Sequence, residues 1–282
     1  MSGKHTCGFV RKYACFNAEA GGKRVSGNKW RADLQALLYL LPFLLVYVFF
    51  MVWPMVKGLE MSLYKWTLIK KIKFVGWDNY DKMLHDASFW SAVWHSALFV
   101  LISTPTMLVL AIVLALIANR PSRLRKFYRS VFFLPSVLSV SVASFLGLFV
   151  FQPYTGLLNS LLHAVRLLPG DLELFWLNEP ALAWIAVTLL TLWWTVGFNF
   201  ILYLSALQEI PDDLYEAARL DGANDSQIFW RITLPLMGGI TKIITMLQII
   251  ASFKVFAQIY IMTGGGPLDR TRPIIQYIWQ TG

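Results

Sequence analysis

The side chains best able to do chemistry in this 282-residue chain lie in one short segment between two apolar runs. Residues 215–235 read YEAARLDGANDSQIFWRITLP. The segment carries five charged side chains: Glu216, Arg219, Asp221, Asp225 and Arg231. It has no His or Cys that could join its carboxylates in a metal site, and no nucleophile paired with a base. Its carboxylates and guanidinium groups are therefore suited to ion pairs rather than to catalysis.

The remainder of the chain does not supply an enzyme motif either. The sequence lacks HExxH and GxSxG, and it lacks the GxxxxGK[ST] loop that binds nucleotide phosphates. We therefore expect no ATP hydrolysis by this chain. Cys7 and Cys15 lie near only one histidine, His5, and this set is too small for a zinc site. We predict no metal site and two reduced cysteines.

Long apolar runs must position the charged segment. The chain is 57% hydrophobic and 15% charged, whereas soluble domains carry roughly 25% charged residues. The first run is 23 residues without a charge, and a helix of this length is about 34 Å long, enough to cross a hydrocarbon core of about 30 Å. We predict an all-α, polytopic transmembrane bundle with five spans, in the runs 34–56, 87–119, 130–165, 180–208 and 232–262.

The basic residues of the loops set the predicted orientation. The tail 1–33 has seven Lys and Arg, and the loop 119–130 has five. Loop 153–182 has only one, although six lysines in loop 57–90 oppose the trend. Because Lys and Arg concentrate in cytoplasmic loops, we predict a multi-pass protein of the cytoplasmic (inner) membrane with a cytoplasmic N-terminal tail. The polar tail also indicates that the span 34–56 is an anchor rather than a signal peptide.

This orientation assigns each loop to a side of the membrane. Loop 57–90 is predicted to be extracytoplasmic, with a small folded cap and a short helix at 71–84. The segment 262–273, MTGGGPLDRTRP, is predicted to form an external irregular turn because of its three glycines and Pro267. The charged segment then faces the cytoplasm.

Local signals predict two short helices in the charged segment. Pro211 suits a first helical turn, and acidic residues follow it, as the helix dipole favours. Gly222 is placed to end this helix in the left-handed conformation. Asn224 and its two successors offer an N-cap for a second helix, and Pro235 opens the fifth span. We therefore predict a helix over 211–221, a glycine turn and a second helix.

The pattern alone leaves two interpretations of this module open. Leu214, Ala217, Ala218 and Asp221 lie on one side of the first helix, and small residues permit close approach of another surface. The module is either an amphipathic helix that covers the bundle or a docking element for a cytoplasmic partner.

The same residues resemble the cytoplasmic "EAA" loop of ABC importer permeases. The matching positions are Glu216, Ala217, Ala218, Gly222, Ile232, Leu234 and Pro235. Further segments resemble the carbohydrate-type subfamily, which includes maltose and glycerol-3-phosphate permeases: FVGWDNY (74–80), FFLPSVLS (132–139), FQPYTGLLN (151–159), GFNFILYLSALQEIP (197–211) and MTGGGP (262–267). The resemblance extends from about residue 35 to the end.

The resemblance implies a permease core over 91–282, in which loop 211–235 is a coupling helix held in a groove of an ATP-binding subunit. It implies that the coupling residues are Tyr215, Glu216, Ala217, Ala218, Asp221, Gly222 and Ala223. It also implies four partner chains: a second, similar permease, two ATPase subunits and an extracytoplasmic solute-binding protein. ATP and Mg would be bound by the partners, with no cofactor on this chain.

The family usually has six spans, and the sixth is expected to begin where this sequence ends, at Gly282.

Polar and aromatic residues within the spans are the candidates for a substrate path. Sugars are held by aromatic rings together with amides and hydroxyls. The candidates are Trp194, Asn199, Tyr203, Gln248, Ser252, Lys254 and Phe256. Each also has a purely structural interpretation, as an interfacial aromatic or as a hydrogen bond between helices. Lys254 could bond a carbonyl, extend to the interface or meet an anionic substrate.

The function predicted from the sequence is therefore import of a sugar or sugar derivative by alternating access, driven by separate ATPase subunits. The alternatives are a non-ABC channel or secondary carrier and a membrane-anchoring structural subunit. The EAA loop distinguishes them, because neither a channel nor a carrier needs it.

Overall fold

The computed structural model describes residues 29–67, 70–120, 123, 125–169 and 172–281. These residues are mostly helical, as predicted, and they fall into two compact units, Met1–Lys82 and Met83–Gly282. The predicted tail with Cys7 and Cys15 lies outside the described residues, apart from its last few positions.

The first unit begins with one long apolar helix. Helix α1 (Lys29–Tyr47) continues through a π-helical turn (Val48–Val52) into α2 (Trp53–Ser62). The π turn ends two residues before Pro54, which has no N–H to offer the preceding turn. Residues Asp33–Ser62 are apolar enough to cross a membrane, and none of this stretch is buried in the protein. The predicted first span is thus present, and its helix continues beyond residue 56.

The loop that follows is a folded cap. Strands β1 (Tyr64–Trp66) and β2 (Lys71–Phe74) form an antiparallel hairpin, and helix α3 (Asp78–His85) follows them. The Lys71 ammonium lies 3.0 Å from Glu60 Oε1, and this hydrogen bond raises the pKa of Lys71. The short helix of the predicted cap is confirmed. The hairpin was not predicted, because its strands are too short to show an alternating pattern.

The second unit holds the remaining helices. They are α4 (Ala87–Asn119), α5 (Arg125–Phe133), α6 (Val140–Val150), α7 (Leu157–Ala164), α8 (Pro180–Glu209), α9 (Asp212–Leu220), α10 (Asp225–Ile228), α11 (Leu234–Leu236), α12 (Gly238–Phe253), α13 (Ala257–Met262) and α14 (Ile274–Thr281). Helices α4 and α8 match the predicted spans 87–119 and 180–208 to within one residue.

These two straight helices form the centre of the bundle. Helix α4 buries alanines at positions 111, 115 and 118 against α8, and such small side chains let two helix backbones approach closely. Phe200 and Met107 fill the remaining space and are fully buried. Helix α12 packs on both α4 and α8. Helices α4, α8 and α12 therefore pack against one another, and polar side chains also meet between them.

The predicted span 130–165 is a bent pair of helices rather than one continuous helix. Helix α5 continues as a 3₁₀ turn (Leu134–Val137), and the chain then bends by 100° into α6. Leu138 is extended at the bend, and the Ser139 hydroxyl caps α6 by accepting from Val142 N–H. A helix cannot continue through an extended residue, so the apolar run contains two helices at nearly a right angle.

The predicted span 232–262 is also bent and interrupted. Helix α10 leads through a π turn (Phe229–Thr233) into α11, and the chain bends by 64° before α12. A second break follows Phe253, because Phe256 has a non-helical backbone before α13 begins. The described part of the chain has three straight spans, or five if each bent pair is one span.

The segment after α13 is irregular, as predicted. Thr271 Oγ1 donates to Gly266 O at 2.6 Å, and Gln276 Nε2 donates to Gly264 O at 2.7 Å. Helix α14 follows and is joined to α4 by Tyr277 Oη, which donates to Asp86 Oδ2 at 2.6 Å. That hydrogen bond, together with one from Ser88 N–H, lowers the pKa of the Asp86 carboxyl.

Candidate functional site

A cavity of about 440 Å³ lies among the helices of the second unit. Its walls come from α4, α6 and α8, from α12 and from the break that follows α12. Five of the residues predicted for a substrate path line it together: Trp194, Gln248, Ser252, Lys254 and Phe256. Among the residues that the structure describes, the lining includes no acidic side chain, and the Lys254 ammonium is its only formal charge.

A second cavity of about 310 Å³ shares Trp194 and Gln248 with the first. It brings in Asn199, a sixth predicted residue. Trp194 and Thr195 of α8 line both cavities, so the same face of α8 contributes to each of them.

A chain of hydrogen bonds connects three helices beside these cavities. Asn199 Nδ2 on α8 donates to Gln248 Oε1 on α12 at 3.0 Å. Gln248 Nε2 donates to Ser252 Oγ at 3.1 Å, and Ser252 Oγ lies 2.9 Å from Ser103 Oγ on α4. All four side chains are buried. Because buried polar groups are costly when unpaired, this network fixes the relative positions of the three helices.

Trp194 is held in place by backbone groups of the bent span. Its Nε1 donates to Leu138 O at 2.8 Å, and its own carbonyl accepts from Ser136 Oγ at 3.0 Å. These two hydrogen bonds hold the indole ring, which lines the cavity, in one orientation. The bond to Leu138 O depends on the extended backbone of Leu138 at the bend.

The structure separates one predicted residue from the others. Tyr203 is fully buried in the core among Met107, Phe200 and Ile244, and it lines neither of these cavities. Lys254 and Phe256 reach the cavity by a route that the sequence did not indicate. They lie on the irregular segment after α12 rather than on a continuous helix face with Ser252.

Sequence reasoning missed four polar residues of the site. Thr191 and Thr195 line the cavity from α8, Gln258 lines it from α13, and Ser103 closes the network. The two threonines precede Asn199 at intervals of four, so a search for polar residues on one helical face would have found them.

The network gives a testable prediction. Asn199→Leu and Gln248→Leu should each destabilise the protein by about 1 kcal/mol, the scale of a hydrogen bond between membrane helices. The double variant should cost less than the sum, because the second substitution removes a group that has already lost its partner. Thermal unfolding of all four proteins in detergent measures this coupling. Thr195→Val is the control, since its hydroxyl bonds only to Thr191 O, and strict additivity would contradict the pairing.

The charged segment forms the predicted pair of short helices. Helix α9 ends at Leu220, and Gly222 follows with φ +80. Gly222 N–H donates to Arg219 O at 3.0 Å and Ala223 N–H to Ala218 O at 2.9 Å. These two bonds define a Schellman motif, in which a left-handed glycine ends the helix. The one difference is that Pro211 is the N-cap rather than the first helical residue.

The second short helix is capped reciprocally. Asn224 Oδ1 accepts from Gln227 N–H at 2.9 Å, and Gln227 Oε1 accepts from Asn224 N–H at 2.9 Å. This capping box satisfies two backbone donors that a helix start otherwise leaves unpaired. Tyr215 Oη lies 3.3 Å from Thr233 Oγ1 and connects α9 to the π turn. The segment is therefore a defined structure rather than a flexible loop.

Most of the predicted coupling residues are exposed. Glu216, Ala217, Asp221 and Gly222 are open to the surroundings, whereas Tyr215, Ala218 and Ala223 are partly buried. Leu220, at the end of α9, is 89% exposed.

Bent apolar spans, cavities between them and a rigid charged loop define an integral membrane transport protein. Residues 107–281 match the model of a family described as binding-protein-dependent transport system inner membrane component, and the chain belongs to this family. It is thus the permease subunit of an ABC importer, a transport component and not an enzyme. Membership of this family decides against the three alternatives, which were a channel, a secondary carrier and a membrane-anchoring subunit.

Individual relatives agree with the family. A probable ABC transporter permease protein of Bacillus subtilis, YurN, is 35% identical over 86% of this chain and 84% of its own length. The lactose transport system permease protein LacF of Rhizobium radiobacter is 30% identical over 88% of this chain and 83% of its own. A solved bacterial alginate ABC transporter, in complex with an alginate pentasaccharide-bound periplasmic protein, has a TM-score of 0.76 and 25% identity over 89% of this chain and 84% of that chain.

Proposed function

We propose that this permease moves a sugar or sugar derivative through the cavity beside the Asn199–Gln248–Ser252 network. The observation that carries the proposal is the combination of groups on the cavity wall. Trp194 and Phe256 provide aromatic faces, and Gln248 and Ser252 provide amide and hydroxyl groups. Sugars present apolar ring faces and hydroxyls to such a wall. Relatives named for lactose and for trehalose/maltose transport support the same substrate class.

The transport cycle that we propose is alternating access driven by other subunits. The chain would work with a second, similar permease, two ATPase subunits that bind ATP and Mg, and an extracytoplasmic solute-binding protein. It would bind no cofactor itself. A ligand shifts a conformational equilibrium only by its differential affinity for the two states, and about 5.5 kcal/mol reverses a 1:99 population.

Helix α9 is the proposed contact with an ATPase subunit. Glu216 would pair with a basic residue of that subunit, and the exposed Ala217 and Gly222 would let its surface approach closely. The Schellman motif and the capping box support this role, because a rigid element can transmit the movement of a partner. The remaining members of this proposed surface are Tyr215, Ala218, Asp221 and Ala223.

The proposal places this loop in the cytoplasm together with the N-terminus. The basic residues of the tail and of loop 119–130 support this orientation. The hairpin cap of loop 57–90 and the segment 262–273 would then face the solute-binding protein.

Reversing the charge of Glu216 tests the coupling role. In a complex co-expressed with its ATPase subunits, Glu216→Lys should reduce the ATPase that co-purifies by about tenfold or more and abolish ATP-dependent uptake. Glu179→Lys is the control, because Glu179 is also exposed but lies outside the charged segment, at the N-cap of α8. Unchanged ATPase association and uptake in Glu216→Lys would overturn the coupling role.

A panel of labelled sugars, supplied with the solute-binding protein, tests the substrate class separately. We expect uptake of at least one sugar or sugar derivative, reduced by Trp194→Ala. If the ATPase subunits remain associated but no sugar is transported, the substrate assignment fails and the coupling assignment stands.

A further inference from the structure

A basic surface lies at the junction of α4 and α5, outside the cavity and the charged loop. We define it as the basic ledge, formed by Arg120, Arg123 and Lys126, whose side chains are exposed. None of the three forms an ion pair with any acid among the described residues. The sequence contains no Asp or Glu from residue 87 to residue 170. The positive charge of the ledge is therefore not neutralised by its own part of the chain.

An exposed apolar stripe runs beside the ledge. Phe127, Val131 and Leu134 follow one another at intervals of four and three, so they share one side of the helical segment. They are 61%, 43% and 67% exposed. A soluble surface rarely exposes such a row of large apolar side chains. The stripe is therefore suited to an apolar environment, and the adjacent ledge to a polar, anionic one.

The opposite side of α5 is attached to the bundle. Tyr128 stacks on Phe132, and Phe132 packs edge-to-face on Phe200 with ring centroids 5.6 Å apart. The orientation of α5 is thus set by the core. The stripe and the ledge cannot turn inward without breaking these contacts.

Contacts with α8 show how α5 lies relative to the membrane. Phe132 packs on Phe200, and Ser136 Oγ donates to Trp194 O, so α5 runs along α8 towards the middle of that membrane-spanning helix. The ledge follows the end of α4 at Asn119, which is also long and apolar enough to span the membrane. The cations therefore lie where the spans leave the bilayer, at the depth of the headgroups, and the stripe extends from them towards the acyl chains.

We propose that the basic ledge and the apolar stripe together form a binding site for an anionic phospholipid. The phosphodiester of a lipid such as phosphatidylglycerol would accept from the guanidinium groups of Arg120 and Arg123 and from the ammonium of Lys126, and its acyl chains would lie on the stripe. Arg recognises phosphate with a planar pair of donors. The inference is independent of the proposed substrate and of the proposed orientation, because it concerns only the leaflet that α5 touches.

The test measures lipid selectivity directly. The full-length chain is reconstituted in phosphatidylcholine bilayers with spin-labelled phosphatidylglycerol or spin-labelled phosphatidylcholine, and the protein-associated fraction of each is compared. We expect the wild type to prefer phosphatidylglycerol severalfold and this preference to weaken at 1 M salt, which shortens the screening length to about 3 Å. The triple variant R120Q/R123Q/K126Q should lose most of the preference.

Three controls make the outcome decisive. The variant K65Q/K70Q/K73Q removes the same charge from exposed lysines of the hairpin loop and should retain the preference. The conservative variant R120K/R123K should also retain most of it, which separates loss of charge from misfolding. Soluble glycerol phosphate at millimolar concentration should not displace the lipid; if it does, the ledge binds free phosphate and the stripe has no role. Equal selectivity in the triple variant and the wild type would overturn the proposal.

Discussion

Gly197→Val is expected to destabilise the bundle by more than about 3 kcal/mol, at the upper end of what overpacking costs. A Cβ atom at Gly197 would lie 2.6 Å from Ser136 Oγ, 2.7 Å from Phe132 O and 2.8 Å from Phe133 Cα. Two of these atoms belong to the backbone, so no side-chain rotation relieves the clash. The bent span would have to move away from α8. Trp194 would then lose its bonds to Leu138 and Ser136, and the cavity wall would change with it.

Thermal unfolding in detergent and the yield of monodisperse protein measure this effect. Gly197→Ala should also lower the stability of the protein, because the clash involves Cβ, the first side-chain atom. Gly239→Ala is the control, since a Cβ there has nothing within 4 Å and the residue lies in a helix. A Gly197→Val protein as stable as the wild type would show that α5 and α8 do not pack as closely as the structure describes.

Gly222→Pro should abolish uptake while leaving the spans folded. Proline holds φ near −65°, whereas Gly222 has φ +80. Proline also removes the N–H that donates to Arg219 O. The Schellman motif is lost on both counts, so the path from α9 to α10 changes direction. In the proposed mechanism, α9 then no longer fits the ATPase subunit, and we expect at least a tenfold loss of ATP-dependent transport.

A graded series identifies the backbone angle as the cause. Asn tolerates the left-handed conformation better than other non-glycine residues, so Gly222→Asn should retain most uptake. Gly222→Ala should be intermediate, because open space surrounds the position and only the backbone is strained. If the Gly222→Ala variant retained more uptake than the Gly222→Asn variant, side-chain size would decide the outcome. Gly222 would then be needed for close approach of a partner surface rather than for the turn.

The sequence predicted those elements whose signals are local. Helices α4 and α8 begin and end where charge-free runs begin and end. The turn at Gly222 and the cap at Asn224 were readable because each depends on residues only a few positions apart. The family resemblance then indicated what such a loop contacts, which the pattern alone could not.

The bends were not predicted for a physical reason. An apolar run is equally suitable for lipid and for the interior of a bundle, so its composition does not reveal where a helix stops. Pro135 and Ser139 lie at the first break, but the 100° angle depends on packing against Gly197 sixty residues later in the chain. Prediction of the candidate site from the sequence was limited for the same reason. Asn199 and Tyr203 share a helix, yet only Asn199 reaches a cavity, because the neighbouring helices decide which side is lined.

The bend at Met237 makes α12 a separate straight arm. The arm from Gly238 to Phe253 has 16 residues, and at about 1.5 Å per residue it is about 24 Å long. Its near end is continuous with α10 and α11, beside the capped loop, and its far end carries Ser252 at the cavity. Met237 itself is buried in the core, at 1% exposure. One continuous helix therefore connects the end of the charged segment to the wall of the cavity, so a structural change at either end of α12 is felt by residues of the same rigid element.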